Sequence, residues 1–267
     1  MERFEHPAFS IFDPAVHERL SALDHFPEPS EFRALTRGVP SSTELELEFE
    51  PEDAARVQQA GDFDRFIADT ARIPTRSGSF HDLFGALIWL HFPLLKNALH
   101  RIQLADGGAP RSPRQNAATH FDESGVIVAS SDEGVFHALA ALDWPGLFWQ
   151  RRPALLETTR FLGFGHGLLD ALRVPHPRLM GMALLVRIGR AQLALGATEF
   201  RVFLDRELSL RLPGFLSEPG RLQPLPVLGV PAWSSAQCAE FYADERYFRR
   251  ARQRLGSRPS AAFIELD

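Results

Sequence analysis

Ser79-Phe-His-Asp-Leu-Phe-Gly-Ala-Leu-Ile-Trp-Leu-His-Phe-Pro93 is the stretch on which the fold of this chain turns. Residues 79 to 104 are predicted to form a helix pair or one kinked helix, with Ser79 as N-cap. Pro93 lacks a backbone donor and clashes with the preceding turn, so the break falls near His91 or Phe92. The apolar run from Leu83 to Leu95 contains His91 and Pro93 and falls short of the roughly 20 residues a membrane span needs. His81, Asp82 and His91 sit within or beside that run, where burying an unpaired ionisable group is costly. Either a satisfied polar core or a site must compensate. His91 lies ten residues beyond His81, about 80° away around an ideal helix, so both are expected to line one groove. The competing reading is a capping Asp82 and two histidines at helix ends. His100, beside Arg101, is expected to be exposed.

A second segment of the same kind follows later in the chain: Arg160-Phe-Leu-Gly-Phe-Gly-His-Gly-Leu-Leu-Asp170. Phe161 to Phe164 is expected to be a strand and Gly165 to Arg173 a helix, stopped by Pro175 and Pro177. His166 and Asp170 are four apart and would share one helix face. The carboxylate could then orient the imidazole, or the two could ligate a divalent metal together with His81. Gly163, Gly165 and Gly167 let the backbone approach a neighbour closely. A structural His–Asp pair is the alternative.

Working outward, residues 1 to 75 read as short helices joined by Pro-containing turns. Asp13 and Ser30 are expected to cap helices, and Thr43-Glu-Leu-Glu-Leu-Glu-Phe-Glu50 alternates as a half-buried strand does. Ala117 to Phe121 and Val126 to Ser130 flank Asp122-Glu-Ser-Gly125 and are read as a β-hairpin. On that strand His120 and Asp122 would share a face, as two ligands or an acid–base pair. Met180 to Ile188 is open between strand and helix, Thr198 to Leu212 reads as helical, and Pro224 to Trp233 as extended. The fold class expected is α+β, mostly helical, with a small antiparallel element at about 117–130 and a helical N-terminal portion. One domain is expected over 1–267, with 76–250 as its body.

Composition bounds the function. At 267 residues the chain can bury a sizeable core, and 45% apolar with 24% charged residues is ordinary for a soluble protein. A net charge of −5 argues against nucleic-acid binding. The 22 phenylalanines point to an aromatic-rich core. Cys238 is the only cysteine, which excludes an intrachain disulfide and a cysteine-based zinc cluster. The start Met1-Glu-Arg-Phe-Glu-His6 lacks a signal-peptide pattern, so a reducing cytoplasm is the expected compartment. Lys96 is the only lysine. Arg111, Arg114, Arg151, Arg152 and Arg160 are candidates to gather around an anion, with a small or anionic ligand expected near Arg114 and Arg160; a solvated surface is the other reading. No phosphate loop, His-Glu-x-x-His motif, nucleophile elbow or complete dinucleotide fingerprint occurs.

Four stretches together resemble an uncharacterised bacterial family, the domain of unknown function numbered 3025. They are His81 to Pro93, Phe121-Asp-Glu-Ser-Gly-Val-Ile-Val-Ala-Ser130, Arg160 to Asp170, and Pro224-Leu-Pro-Val-Leu-Gly-Val-Pro231 with Phe241-Tyr242 and Tyr247-Phe-Arg249. The family pattern carries Asn where Gly85 stands and Glu where Asp170 stands. The resemblance implies no activity. Two functions are therefore carried forward. One is a hydrolase acting on a small or anionic substrate, with His166 as base or ligand, Asp170 orienting it, and His81, Asp82, His120 and Asp122 converging, with or without a divalent metal. The other is a non-catalytic binding or scaffold protein whose His–Asp pairs are structural.

Overall fold

A computed structural model of the chain describes residues 6–105, 111–217, 220–235, 237–249 and 261–266. Asp13 caps the first helix, α1 (Pro14–Ala22), by accepting from the Ala15 amide. A turn at Pro29–Glu31 follows, in which the capping side chains are Glu28 and Glu31 rather than Ser30. It leads into α2 (Phe32–Leu35). Of the alternating stretch 43–50, only its end enters a sheet, as β1 (Glu48–Pro51). Asp53 caps α3 (Ala54–Ala60) and Asp62 caps α4 (Phe63–Thr70). β2 (Arg72–Thr75) then returns parallel to β1.

The kinked pair forms as the sequence predicts. Ser79 Oγ accepts from the Asp82 amide to start α5 (Phe80–His91), and α6 (Pro93–Leu104) begins at the proline. The first turn of α6 has orphan amides because of that break. Asp205 accepts from two of them, Leu94 at 3.3 Å and Leu95 at 2.8 Å.

The expected hairpin at 117–130 is not formed. Residues 113–124 are helical, α7 (Pro113–Ser124). Its start is a reciprocal capping box: Ser112 Oγ accepts from the Gln115 amide and Gln115 Oε1 from the Ser112 amide, with Pro113 at the first position. The chain passes from this helix at Gly125 directly into β3 (Gly125–Ser130), which is buried throughout.

Asp132 caps α8 (Glu133–Ala140), and α9 (Arg152–Thr158) leads into β4 (Thr159–Gly163). Then come α10 (His166–Ala171), β5 (Met180–Arg187), α11 (Arg190–Leu193), α12 (Ala197–Phe215), β6 (Gln223–Pro226), α13 (Ala239–Ala243) and β7 (Ile264–Glu265). The main sheet is mixed. β3 pairs antiparallel with β4 (Val128 opposite Phe161) and parallel with β5 (Val128 opposite Leu185). β6 runs antiparallel to the first half of β5, and β7 parallel to its end. The fold is thus α+β and mostly helical, but its strands are not mainly an antiparallel hairpin.

Buried apolar side chains from both sheets and nearly every helix form one connected core. Phe121 of α7 stacks on Phe164 at 4.9 Å, and Phe92, at the α5–α6 break, meets Phe164 edge-on at 5.5 Å. The aromatic richness serves this core: among the described residues, Phe63 is the one exposed phenylalanine. No described helix is long and apolar enough to cross a membrane.

Candidate functional site

Three helices meet where the two His-bearing segments approach each other: the start of α5, the end of α7 and the start of α10. His81, Glu123 and His166 project from them into one spot, their ligand atoms all within 4.8 Å of one another. His81 Nε2 lies 3.4 Å from one Glu123 carboxylate oxygen, and His166 Nε2 lies 3.5 Å from the other. The two imidazole rings are edge-to-face at 4.5 Å.

The glycines make this approach possible. The Phe164 and Gly165 amides both donate to the Gly125 carbonyl, docking the start of α10 onto the α7–β3 junction. A Cβ on Gly165 would lie 2.4 Å from the amide nitrogens of Ser124 and Gly125. One on Gly167 would lie 2.7 Å from the Glu123 carboxylate and 3.7 Å from His81 Nε2. Side chains at these positions would push Glu123 and His166 apart.

Each imidazole has a second carboxylate behind it. His81 Nδ1 is 3.2 Å from Asp82 Oδ1, and His166 Nδ1 faces Asp122 Oδ1 at 3.9 Å. These carboxylates are held in turn. Arg76 grips Asp82 with a two-pronged guanidinium bond (2.6 and 3.0 Å) plus its own amide at 2.7 Å. Lys96 donates to both oxygens of Asp122 at 2.6 and 2.8 Å, and its ammonium lies 5.0 Å from the Trp89 ring centre. Both members of the Lys96–Asp122 pair are buried, where removing either would strand the other charge.

The electrostatics follow from these contacts. Hydrogen bonds to Asp82 and then Glu123 raise the His81 pKa to about 9. Hydrogen bonds from His166 and His81 hold Glu123 well below the usual carboxylate range. Burial works to raise Asp82, but its bonds to His81 and Arg76 win and hold it low. For Asp122, too, burial opposes ionisation, and the nearby Lys96 and His166 charges outweigh it.

The cluster opens into a pocket of about 380 Å3 between α5, α6 and α7 on one side and α4–β2 on the other. Its lining carries five carboxylates (Glu52, Asp64, Asp82, Asp122, Glu123) against three fixed cations (Arg76, Lys96, Arg111), an excess of two negative charges. Two imidazoles and a carboxylate in such a pocket form a donor set suited to a divalent cation such as zinc.

Of the residues expected to converge, His81, Asp82, Asp122 and His166 do. His120 does not: it is exposed, because two-residue spacing on a helix turns side chains about 200° apart, whereas on the expected strand they would have shared a face. Asp170 binds Arg173 at 3.0 Å and makes no bond to His166, which turns towards α7 instead. His91 and His81 do not share a groove. His91 is 1% exposed, with Nδ1 bonded to the Leu87 carbonyl at 2.7 Å and Nε2 accepting from the Asp13 amide at 3.3 Å. His100 is buried rather than exposed, facing Asp64 at 3.2 Å. The arginines do not gather. Arg111 lines the pocket and Arg114 does not; Arg160 donates to the Leu195 carbonyl and covers the Phe200 ring, while Arg151 pairs with Asp132 and Arg152 with Tyr242.

Two participants were missed in the sequence, Glu123 and Lys96. Glu123 carried a readable signal. An acidic residue in the last turn of a helix opposes the helix dipole and calls for a cationic partner, but the signal needs α7 to be recognised as a helix first.

Comparison with curated proteins and with solved structures finds no match. Comparison with protein families does. The family described as Protein of unknown function (DUF3025) matches residues 47–252, a span that holds every member of the cluster and its supporting carboxylates, and the chain belongs to that family.

Proposed function

We propose that the pocket is the active site of a metal-dependent hydrolase acting on a small substrate, with His81, Glu123 and His166 as the ligands of one divalent cation. The observation that carries this reading is the shared orientation of the two imidazoles. Each aims Nε2 at the same carboxylate and turns Nδ1 towards another, Asp82 or Asp122. Metal-bound histidines are held as His81 is, by a hydrogen bond from Nδ1 to an outer carboxylate, whereas His166 Nδ1 faces Asp122 at 3.9 Å without a hydrogen bond. Three protein ligands beside an open pocket leave positions for water and substrate, as catalytic zinc sites do and closed structural sites do not. A divalent cation there would supply Lewis acidity and an activated water. The chain's own residues do the rest. Asp82 orients His81, Asp122 faces His166, and Arg76 and Lys96 anchor those carboxylates.

Elemental mass spectrometry of the purified protein, with a zinc titration of wild type and His166→Ala, tests the proposal. About one divalent ion per chain, lost in the variant, is the expected result. Absence of binding in both would sink it and leave the cluster as a polar pin joining α5, α7 and α10 in a non-catalytic protein.

A further inference from the structure

The metal-centre reading names a reactive end of the pocket but no substrate. The rest of the lining bears on that. His81, Gly85 and Trp89 are spaced four apart along α5, on one face, and all three line the pocket. Midway between the imidazole and the indole, α5 therefore presents only Gly85 and the Ala86 methyl. A Cβ at Gly85 would make ordinary contact with the His166 ring, at 3.7 and 3.9 Å, and with nothing else within that range, so glycine leaves room there beside the imidazole. Trp89 shares the lining with Phe63 and Ile67 of α4 and Ile73 of β2. Phe63 is 44% exposed at this site, whereas the other described phenylalanines are buried or half-buried.

The fixed charges of the lining are already engaged. Arg76 binds Asp82, Lys96 binds Asp122, and Arg111 faces Asp64 at 3.7 Å and donates to Thr119. Each of these three cations already has a protein partner, and Trp89, Phe63, Ile67 and Ile73 offer no charge to the far arm of the pocket. A trough with a polar, metal-ready end and an apolar, uncharged arm selects a molecule built the same way.

We infer that the substrate is a small amphipathic acyl compound: a carbonyl-bearing head at His81, Glu123 and His166, and an uncharged aromatic or branched aliphatic arm lying over Gly85 against Trp89, Phe63, Ile67 and Ile73. This rests on the metal-centre reading and replaces an anionic substrate with an amphipathic one. It makes Gly85 and Phe63 specificity-determining residues.

Two hydroxamate probes read the arm without knowledge of the natural substrate, because both carry the same metal-binding head. Acetohydroxamate and benzohydroxamate are titrated calorimetrically into zinc-equilibrated wild type, Gly85→Leu and Phe63→Ala. A zinc-only titration of each protein runs alongside. Benzohydroxamate is expected to bind wild type at least about tenfold more tightly, the scale of burying one ring. That preference should fall to near unity in Gly85→Leu, where the new side chain fills the trough, and drop about threefold in Phe63→Ala. Leucine is a better helix former than glycine, and Phe63 is at the surface, so neither change threatens folding through the helix itself. Equal affinities in wild type, including no binding of either probe, overturn the inference. So does a preference that survives both substitutions. A zinc titration that fails while the preference for the aromatic probe persists overturns the metal reading and leaves the apolar arm standing.

Discussion

The two ends of α5 carry the same residue type and do opposite things with it. At the C-terminal end, His91 is enclosed by Phe12, Leu87 and Asp13, and both of its nitrogens have neutral backbone partners. The Leu87 carbonyl needs a proton on Nδ1 and the Asp13 amide needs a lone pair on Nε2, so the neutral ring is the one that fits. Burial, reinforced by the Arg201 charge, lowers its pKa to about 3. At the N-terminal end, both nitrogens of His81 face carboxylates, and its pKa rises to about 9. Burial alone therefore does not separate a structural histidine from a functional one. The partners do: backbone groups saturate an imidazole, whereas a shared carboxylate gathers imidazoles into a donor set.

The largest expected effect tests whether the charged residues at the two ends are separable. Lys96→Met strands a buried carboxylate beside His166 and should cost about 3–5 kcal/mol in urea denaturation. It should also weaken zinc binding, because Asp122 is no longer held. Arg201→Met, at the other end, should destabilise as well, since Arg201 is buried against Asp13 and the Pro40 carbonyl, but leave zinc affinity unchanged. If both variants lose zinc equally, the ends are not independent.

Next in size, Glu123→Gln should reduce zinc affinity by at least about a hundredfold, while Asp82→Asn, which only supports a ligand, should cost about ten- to a hundredfold. Equal losses would mean that Asp82 is itself a ligand.

The two histidines should also give the metal-free protein pH dependences of opposite sign. His91 is neutral in the fold, so the unfolded chain takes up its proton first as pH drops below the ordinary histidine value of 6.5. Its contribution is present above that value and is lost as pH falls towards about 3. Between about pH 7 and about pH 5 this amounts to ~2 kcal/mol. His91→Asn should flatten that part of a urea-derived stability profile. His81 works the other way: its stabilisation is full below 6.5 and is lost as pH rises through about 9. Carbon-13 shifts of the two rings should show one titrating near 9 and the other silent between about pH 5 and about pH 8. Matching titrations would erase the comparison.

The smallest effect is Gly85→Ala. A methyl there makes only ordinary contact with His166, and glycine inside a helix costs about 0.5–1 kcal/mol relative to alanine, so the variant should melt slightly higher. A lower melting temperature would mean that the trough over Gly85 is narrower than the helix spacing implies.

Local rules carried the reading of the chain where caps and breakers are strong. Ser79 and Asp13 start helices, and Pro93 divides α5 from α6. They failed at α7, although Ser112-Pro-Arg-Gln115 is a capping box. The buried face of that helix is Gln115, Ala118, Phe121 and Asp122, too polar to show an apolar helical period, so the short apolar runs around it read as strands. The error carried over to the site. On a strand His120 accompanies Asp122; on a helix Asp122 turns inwards, Glu123 reaches the two histidines from the exposed side and His120 turns out.

The sequence by itself determined that ionisable groups stand inside apolar segments, that His81, Asp82, Asp122 and His166 are among them, and that glycines flank His166 closely. Only the tertiary structure decided the partners. Glu123 joins two histidines because the start of α10 packs against the end of α7, and Lys96 meets Asp122 because α6 and α7 lie side by side. Spacing along one element reports which side chains share a face. It carries no information about which other element will be brought against that face, and at this pocket every decisive contact except the one between His81 and Asp82 is made between elements.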